Sequence, residues 1–247
     1  MQLDTAMSQM RAARPGVEQK YWEEYFTAAR RLGHSWKDEA KTLAPLIFRL
    51  RSHGVSRVLD LGCGAGDLSH LLGRARFEVT GLDLAGSALR FARERHPGLK
   101  VVQADVTRSL PIRSKAFDAV VACLALHYFP WGATVAISEE VHRLIREGGL
   151  FFFRVNSTAD QAHGAGRGQK VGPHLYECGG RLKRFFDEAD CRSLVRCFGL
   201  HYLEHRLIPH LDCVDGRWAV RQKAVWDGLA QKGGAVPPER CHATGTA

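Results

Sequence analysis

Residues 57–72 read RVLDLGCGAGDLSHLL, and the fold is decided here. A short apolar run, Arg57 to Leu61, has the composition of a buried strand. Gly62, Gly64 and Gly66 follow at alternate positions, and a helix begins directly after them. Outward from this stretch the same alternation continues. Apolar runs rich in Val, Leu and Phe recur at 78–82, 99–103, 117–123 and 149–155, separated by amphipathic stretches at about 66–74, 85–95 and 133–146. Repeated strand–helix–strand units predict a parallel sheet with helices on both faces and right-handed crossovers. The fold class expected is therefore α/β, Rossmann-like and doubly wound.

The flanks read differently. Residues 1–16 lack periodicity and are expected to be loose, and 17–52 form a helical cap in which Tyr21, Trp22, Tyr25, Phe26 and Ala29 recur at helical spacings. A second helix is expected from Ser35, a plausible N-cap, to about Arg51, broken or kinked at Pro45. After Asn156 the polar stretch 157–180 reads as a structureless insertion, a candidate lid over a ligand. A helix is expected from about 186–188. Extended segments at 200–208 and 217–227 then close a single domain spanning 17–231, leaving 232–247 as a disordered tail.

Glycines after the first strand allow positive φ and let backbone N–H groups approach a ligand. The helix N-terminus behind them adds a positive field. Such a turn suits a dinucleotide pyrophosphate or the amino-acid end of S-adenosylmethionine. In the dinucleotide fingerprint the third glycine would fall at position 67, which is Asp67 here. Asp60 also puts a carboxylate just before the turn, favourable for an ammonium and unfavourable for a pyrophosphate. Asp83, at 83 − 62 = 21 residues past the first glycine, ends the second strand, where an acid can accept both ribose hydroxyls. Asp105 ends the third strand, placed to accept from an adenine amino group, with the Val106 amide placed to donate to a ring nitrogen.

With these residues in view, the sequence resembles the class I S-adenosylmethionine-dependent methyltransferases over about residues 40–227. VLDLGCGAGDLSHLL resembles the family's first motif, GLDLA its ribose-binding acid, and QADVTRSLP its adenine segment. FDAVVACLALHYF followed by REGGLFFFRVNS is also typical. The resemblance implies a seven-stranded sheet whose last strand is antiparallel and S-adenosyl-L-methionine as cofactor, released as S-adenosyl-L-homocysteine. It implies Asp60, Gly62, Cys63, Gly64 and Gly66 around the methionine part, Asp83 and Leu84 at the ribose, Asp105 and Val106 at the adenine, and Cys123 with Leu124 beside the sulfonium. The LHYF, RVNS and KRFFDEAD segments are similar to a small-molecule subgroup that includes tellurite-resistance-type methyltransferases.

In-line methyl transfer asks the protein to align an acceptor, exclude water and, where needed, remove a proton. His127, past the fourth strand, is the candidate general base; its alternative is a packing histidine beside Tyr128 and Phe129. Arg154 and Asn156 are candidates for an acceptor carboxylate or hydroxyl, and Tyr21, Tyr25 and Tyr128 for an aromatic wall. The acceptor expected is a small molecule with an O, N or soft S/Se/Te-type nucleophile. RNA methylation is the enzyme alternative, raised by a net charge of +9. Against it, the basic residues form no run of five, no Asn/Asp-Pro-Pro-aromatic motif follows the fourth strand, and Cys123 is preceded by Ala122 instead of proline. A non-catalytic binder or sensor of the cofactor is the other alternative.

The remaining bounds are broad. A hydrophobic fraction of 45% with 25% charged residues matches a soluble globular chain and excludes disordered or fibrous classes. No run approaches the ~18 apolar residues of a membrane span, and Met1 to Lys20 does not read as a secretory signal, so a cytoplasmic location is expected. Seven cysteines without a C-x-x-C pair point to reduced thiols and to no metal site.

Overall fold

The computed structural model describes residues 15–32, 42–178, 181–214 and 217–233. In chain order these comprise α1 (Pro15–Arg31), α2 (Ala44–Ser52), β1 (Arg57–Leu61), α3 (Asp67–Arg74), β2 (Glu78–Asp83), α4 (Gly86–Arg95), β3 (Lys100–Gln103) and β4 (Phe117–Cys123). A 3₁₀ turn (Leu126–Tyr128), α5 (Trp131–Leu144) and β5 (Ile145–Asn156) follow. The chain continues through β6 (Gln169–Gly172), β7 (Leu175–Cys178), β8 (Arg181–Arg184), α6 (Glu188–Leu194), β9 (Gly199–Val214) and β10 (Arg217–Gln231).

Strands that are buried on both faces need apolar residues at successive positions, and β1, β4 and β5 supply them. Leu59, Leu61, Val120, Ala122, Phe151 and Phe153 point to one side, against Ile137, Val141 and Leu144 of α5 and Leu194 of α6. Val58, Ala119, Val121, Leu150 and Phe152 point to the other, against Leu46 and Leu50 of α2 and Leu68 and Leu72 of α3. The result is the doubly wound sheet expected, in the order β3-β2-β1-β4-β5-β10-β9. β1 to β5 pair in parallel, and the last strand in the chain, β10, enters antiparallel between β5 and β9. Where β10 lies against β5, Gly228 faces Phe153. A Cβ there would lie 2.2 Å from the ring, so the missing side chain makes room for the phenylalanine.

Four sequence expectations need correction. Pro45 lies in the first turn of α2, where its missing N–H costs nothing, so it starts a helix and does not kink one; Ser35 lies outside the described residues. The 157–180 insertion is not structureless: β6 and β7 join β8 in a three-stranded antiparallel sheet. The closing strands are longer than 200–208 and 217–227 and form one hairpin, with a register shift at Leu229/Ala230. Lys232 does not begin a loose tail, because its Nζ is buried and donates to the carbonyls of His142 (2.9 Å) and Ile145 (3.1 Å). The first helix begins at Pro15, and the expectations for 1–14 and 234–247 lie outside the described residues. Among the described residues, no helix is long and apolar enough to cross a membrane.

Candidate active site

Strand order reverses between β1 and β4, and the carboxyl ends of the strands open there into a crevice. The chain leaves β1 through a turn fixed by the Leu82 carbonyl, which accepts from both Gly62 N (2.7 Å) and Cys63 N (3.0 Å). Gly62 and Gly64 have φ of +75° and +52°. A Cβ at Gly62 would lie 2.5 Å from that of Ala125, and one at Gly64 would lie 3.0 Å from the Phe26 ring. Larger residues would strain the turn and fill the crevice at once.

Two carboxylates meet at this turn. Asp83 accepts from Gly64 N and Ala85 N, both at 2.9 Å, so the acid at the end of β2 also holds the glycine loop. Burial raises its pKa against those hydrogen bonds. Asp60 is buried at the end of β1 and accepts from Ser69 Oγ at 2.6 Å. Burial raises its pKa to about 6, opposed by the Ser69 hydrogen bond and helped by the neighbouring Asp83 charge. Cys63 packs its sulfur toward Gly81, and burial pushes its thiol well up, so it is no nucleophile at neutral pH.

These groups line a cavity of about 340 Å³. Trp22, Tyr25 and Phe26 of α1 wall one side, and Val106, Cys123, Leu124 and Ala125 continue the wall past the carboxylates. His127, Tyr128, Asn156, His163, Lys183 and Lys223 also line it. Leu124 holds a positive φ of +54°, a backbone state that costs a branched residue free energy and clusters at functional sites. His127 is buried and its Nδ1 has no hydrogen-bond partner. Burial first, then the charges of Lys183, His163, Arg181 and Lys223, pushes its pKa well below the usual histidine range.

α1 is fastened over this cavity at two points. Glu23 accepts from Gly86 N and Ser87 N, both at 2.7 Å, and so caps the N-terminus of α4 from another helix. Arg181 of β8 donates to the Tyr21 hydroxyl and lies 4.4 Å over its ring. Trp22 meets Tyr128 edge-on at 4.8 Å.

Asp60, Gly62, Cys63, Gly64, Asp83, Leu84, Val106, Cys123, Tyr25, His127, Tyr128 and Asn156 thus line one cavity. Four expected residues do not. Arg154 is fully buried and pairs with Asp227, its partner in register on β10, through two contacts of 2.6 Å. Its chemistry is spent inside the sheet. Asp105 turns onto its own loop, accepting from Thr107 N (2.9 Å) and Oγ1 (2.6 Å). Gly66 packs against Leu99 and Ala92 at the start of α3, and Tyr21 is engaged by Arg181 outside the cavity. Sequence reasoning missed Phe26, His163, Lys183 and Lys223 as lining residues. The last three come from the insertion, the small sheet and β10, and no motif marks them.

Comparison with known proteins follows the same lines. Residues 58–149 match the family model described as a methyltransferase domain. Among curated relatives, the chain is 36% identical over 109 residues to the malonyl-[acyl-carrier protein] O-methyltransferase of Enterobacter lignolyticus, covering 44% of this chain and 42% of that protein. It is 30% identical over 146 residues to the ubiquinone biosynthesis O-methyltransferase of Nitrosococcus oceani, covering 53% and 61%. The chain therefore spans about half the length of these relatives. A solved structure of a SAM-dependent methyltransferase from Anabaena variabilis superposes with a TM-score of 0.62 at 15% identity, covering 87% of this chain and 94% of that one.

The fold is that of the class I S-adenosylmethionine-dependent methyltransferases. Residues 58–149, which match the methyltransferase-domain model, run from β1 into the start of β5 and carry the glycine turn. The residues present fit such a cofactor. The glycine cradle is one that a single Cβ would fill, and the buried carboxylates of Asp60 and Asp83 border it.

Proposed function

We propose that this protein is a methyltransferase that moves a methyl group from S-adenosylmethionine to an oxygen of a small-molecule acceptor. One arrangement carries the reading: Asp83, Asp60 and the Gly62–Gly64 turn share one cavity with His127, Tyr128 and Asn156. The oxygen acceptor is supported by the printed activities of the two curated relatives, both O-methyltransferases. A small acceptor is supported by the cover that α1 and β8 form over the cavity.

When bound, the cofactor supplies a methyl group on an activated sulfonium. Asp83 would hold the ribose hydroxyls, Asp60 the ammonium, and the Val106 segment the adenine. Asp105 contributes there only by shaping its loop. Cys123 and Leu124 line the same cavity. His127, kept neutral by its surroundings, would align the acceptor oxygen through its Nδ1, and as a base it would take up a proton only transiently. α1 and the 157–180 insertion with β8 would act as the lid that excludes water.

The test is transfer of labelled methyl from S-adenosylmethionine to a panel of small hydroxy and carboxy compounds, with S-adenosylhomocysteine release as a second readout. Turnover of a panel member supports the reading. Tight cofactor binding without turnover of any acceptor would point to a sensor, and turnover of RNA alone would overturn the small-molecule assignment.

A further inference from the structure

Two side chains of the cavity are buried with polar atoms still to be satisfied. His127 is 2% exposed, and its Nδ1 makes no hydrogen bond. Asn156, at the end of β5, is 3% exposed and lines the same cavity, and its carboxamide makes no hydrogen bond among the described residues. Its backbone, by contrast, is held firmly. The Asn156 carbonyl accepts from Phe186 N at 2.8 Å, and the residue pairs in register with Val225 of β10. These contacts fix where the carboxamide stands. The loop that carries His127 leaves β4 beside it, since Cys123 lies opposite Arg154 and Leu124 N donates to the Arg154 carbonyl at 2.8 Å. Asp60 and Asp83 end β1 and β2, and β4 separates β5 from both. Asn156 therefore belongs to the acceptor side of the cavity and not to the carboxylate side.

A buried amide is costly unless its donors and acceptor are met, and a leucine would fill much the same space without that cost. A site that keeps such a group discriminates strongly against ligands that leave it unpaired. His127 is given to the oxygen that receives the methyl group, and one ring nitrogen meets one oxygen. Asn156 needs a second ligand atom. Its carboxamide has two N–H donors and one acceptor, so a carbonyl oxygen is the group it matches best. We infer that Asn156 determines acceptor specificity, and that the acceptor carries a carbonyl group beside the hydroxyl it methylates. The substrate class is thus a hydroxy-carbonyl compound, with the hydroxyl at His127 and the carbonyl oxygen accepting from the Asn156 amide. This rests on the methyltransferase reading and adds to it the second recognition point of the substrate. An amide and a carboxylate both supply the carbonyl oxygen, and they differ in charge, so the same experiment separates them.

The experiment is calorimetry on the full chain saturated with S-adenosylhomocysteine, titrated with salicylamide, salicylate, phenol and benzamide. Planar probes suit a cavity lined by Trp22, Phe26 and Tyr128. Salicylamide or salicylate is expected to bind at least tenfold more tightly than phenol, which lacks the carbonyl, and than benzamide, which lacks the hydroxyl. Whichever of the two is tighter shows whether the carbonyl belongs to a neutral group or to a carboxylate. Asn156→Leu, or Asn156→Ser should the leucine not fold, is expected to erase the advantage over phenol while leaving phenol and S-adenosylhomocysteine affinities within about twofold of wild type. Failure of both hydroxy-carbonyl probes to bind, equal binding of phenol or benzamide, or discrimination retained in the variant would overturn the inference. So would a loss of S-adenosylhomocysteine affinity in the folded variant, which would put the carboxamide at the cofactor. Failure of S-adenosylhomocysteine to bind the wild type would instead sink the cofactor reading beneath it.

Discussion

Asp60 ties cofactor affinity to pH. Burial pushes its carboxyl up to about 6 from the ordinary aspartate value of 3.8, so ionising it inside the turn costs about 3 kcal/mol. The sign follows from linkage. A raised acid pKa means that the folded state holds the proton more tightly than the unfolded one, so this contribution to stability is full below about pH 4 and lost as pH rises through about 6. An ammonium docked on Asp60 favours the ionised form and expels that proton. Binding of S-adenosylhomocysteine near pH 6 should therefore release about half a proton, and at pH 8 almost none from this group. Below pH 6 the affinity should fall by up to about tenfold per pH unit. Calorimetry in buffers of different ionisation enthalpy measures the proton count. Asp60→Asn should abolish the release, flatten the profile and weaken binding at pH 8 by about 1.5–3 kcal/mol, or roughly 10- to 150-fold. Full proton release retained in Asp60→Asn, or wild-type affinity that does not fall from pH 8 to pH 5, would refute the placement of the ammonium on this carboxylate.

Arg154→Ala should destabilise the fold by about 2–4 kcal/mol in urea denaturation, because Asp227 would stay buried with only the longer Arg206 contact (3.3 Å); the apolar double variant Arg154→Met with Asp227→Leu should recover most of the loss. Glu23→Ala removes the acceptor for two amides at the start of α4 and should cost about 1–2 kcal/mol of stability, with weaker S-adenosylhomocysteine binding as α1 loosens, both readable by thermal shift with and without ligand. His127 stays neutral from pH 6 to 8, so the rate profile should show no histidine limb in that range, and His127→Ala should lower kcat more than cofactor affinity. A limb near pH 6.5 that disappears in His127→Ala would contradict the low basicity assigned to this ring.

Sheet and cofactor turn were legible in the sequence because their determinants are local. Glycine alternation after a strand, an acid at the end of each of the first two strands and apolar runs of strand length depend on a few adjacent residues. Pro45 misled because the position of a proline within a helix decides whether it starts or breaks it, and the true start lay inside the expected span. Arg154 misled for a different reason. At the end of β5 it looked exposed, yet register places Asp227 opposite it, and strand register across 73 residues is not written in either neighbourhood. The insertion, polar and rich in glycine, conceals strands that are held by pairing, β6 with β7 and β7 with β8, more than by their own propensity. Lys183, Lys223 and His163 reach one cavity from β8, β10 and the insertion, which are far apart in the chain.

The account depends above all on the ligand that fills the crevice between β1, β2 and β4. A crystal structure with S-adenosylhomocysteine bound tests this directly. It should show the ribose hydroxyls on the Asp83 carboxylate, the amino group against Asp60, and the sulfur between Cys123 and the chamber lined by His127. A ligand lying elsewhere, or one in this crevice that touches neither carboxylate, would contradict the account.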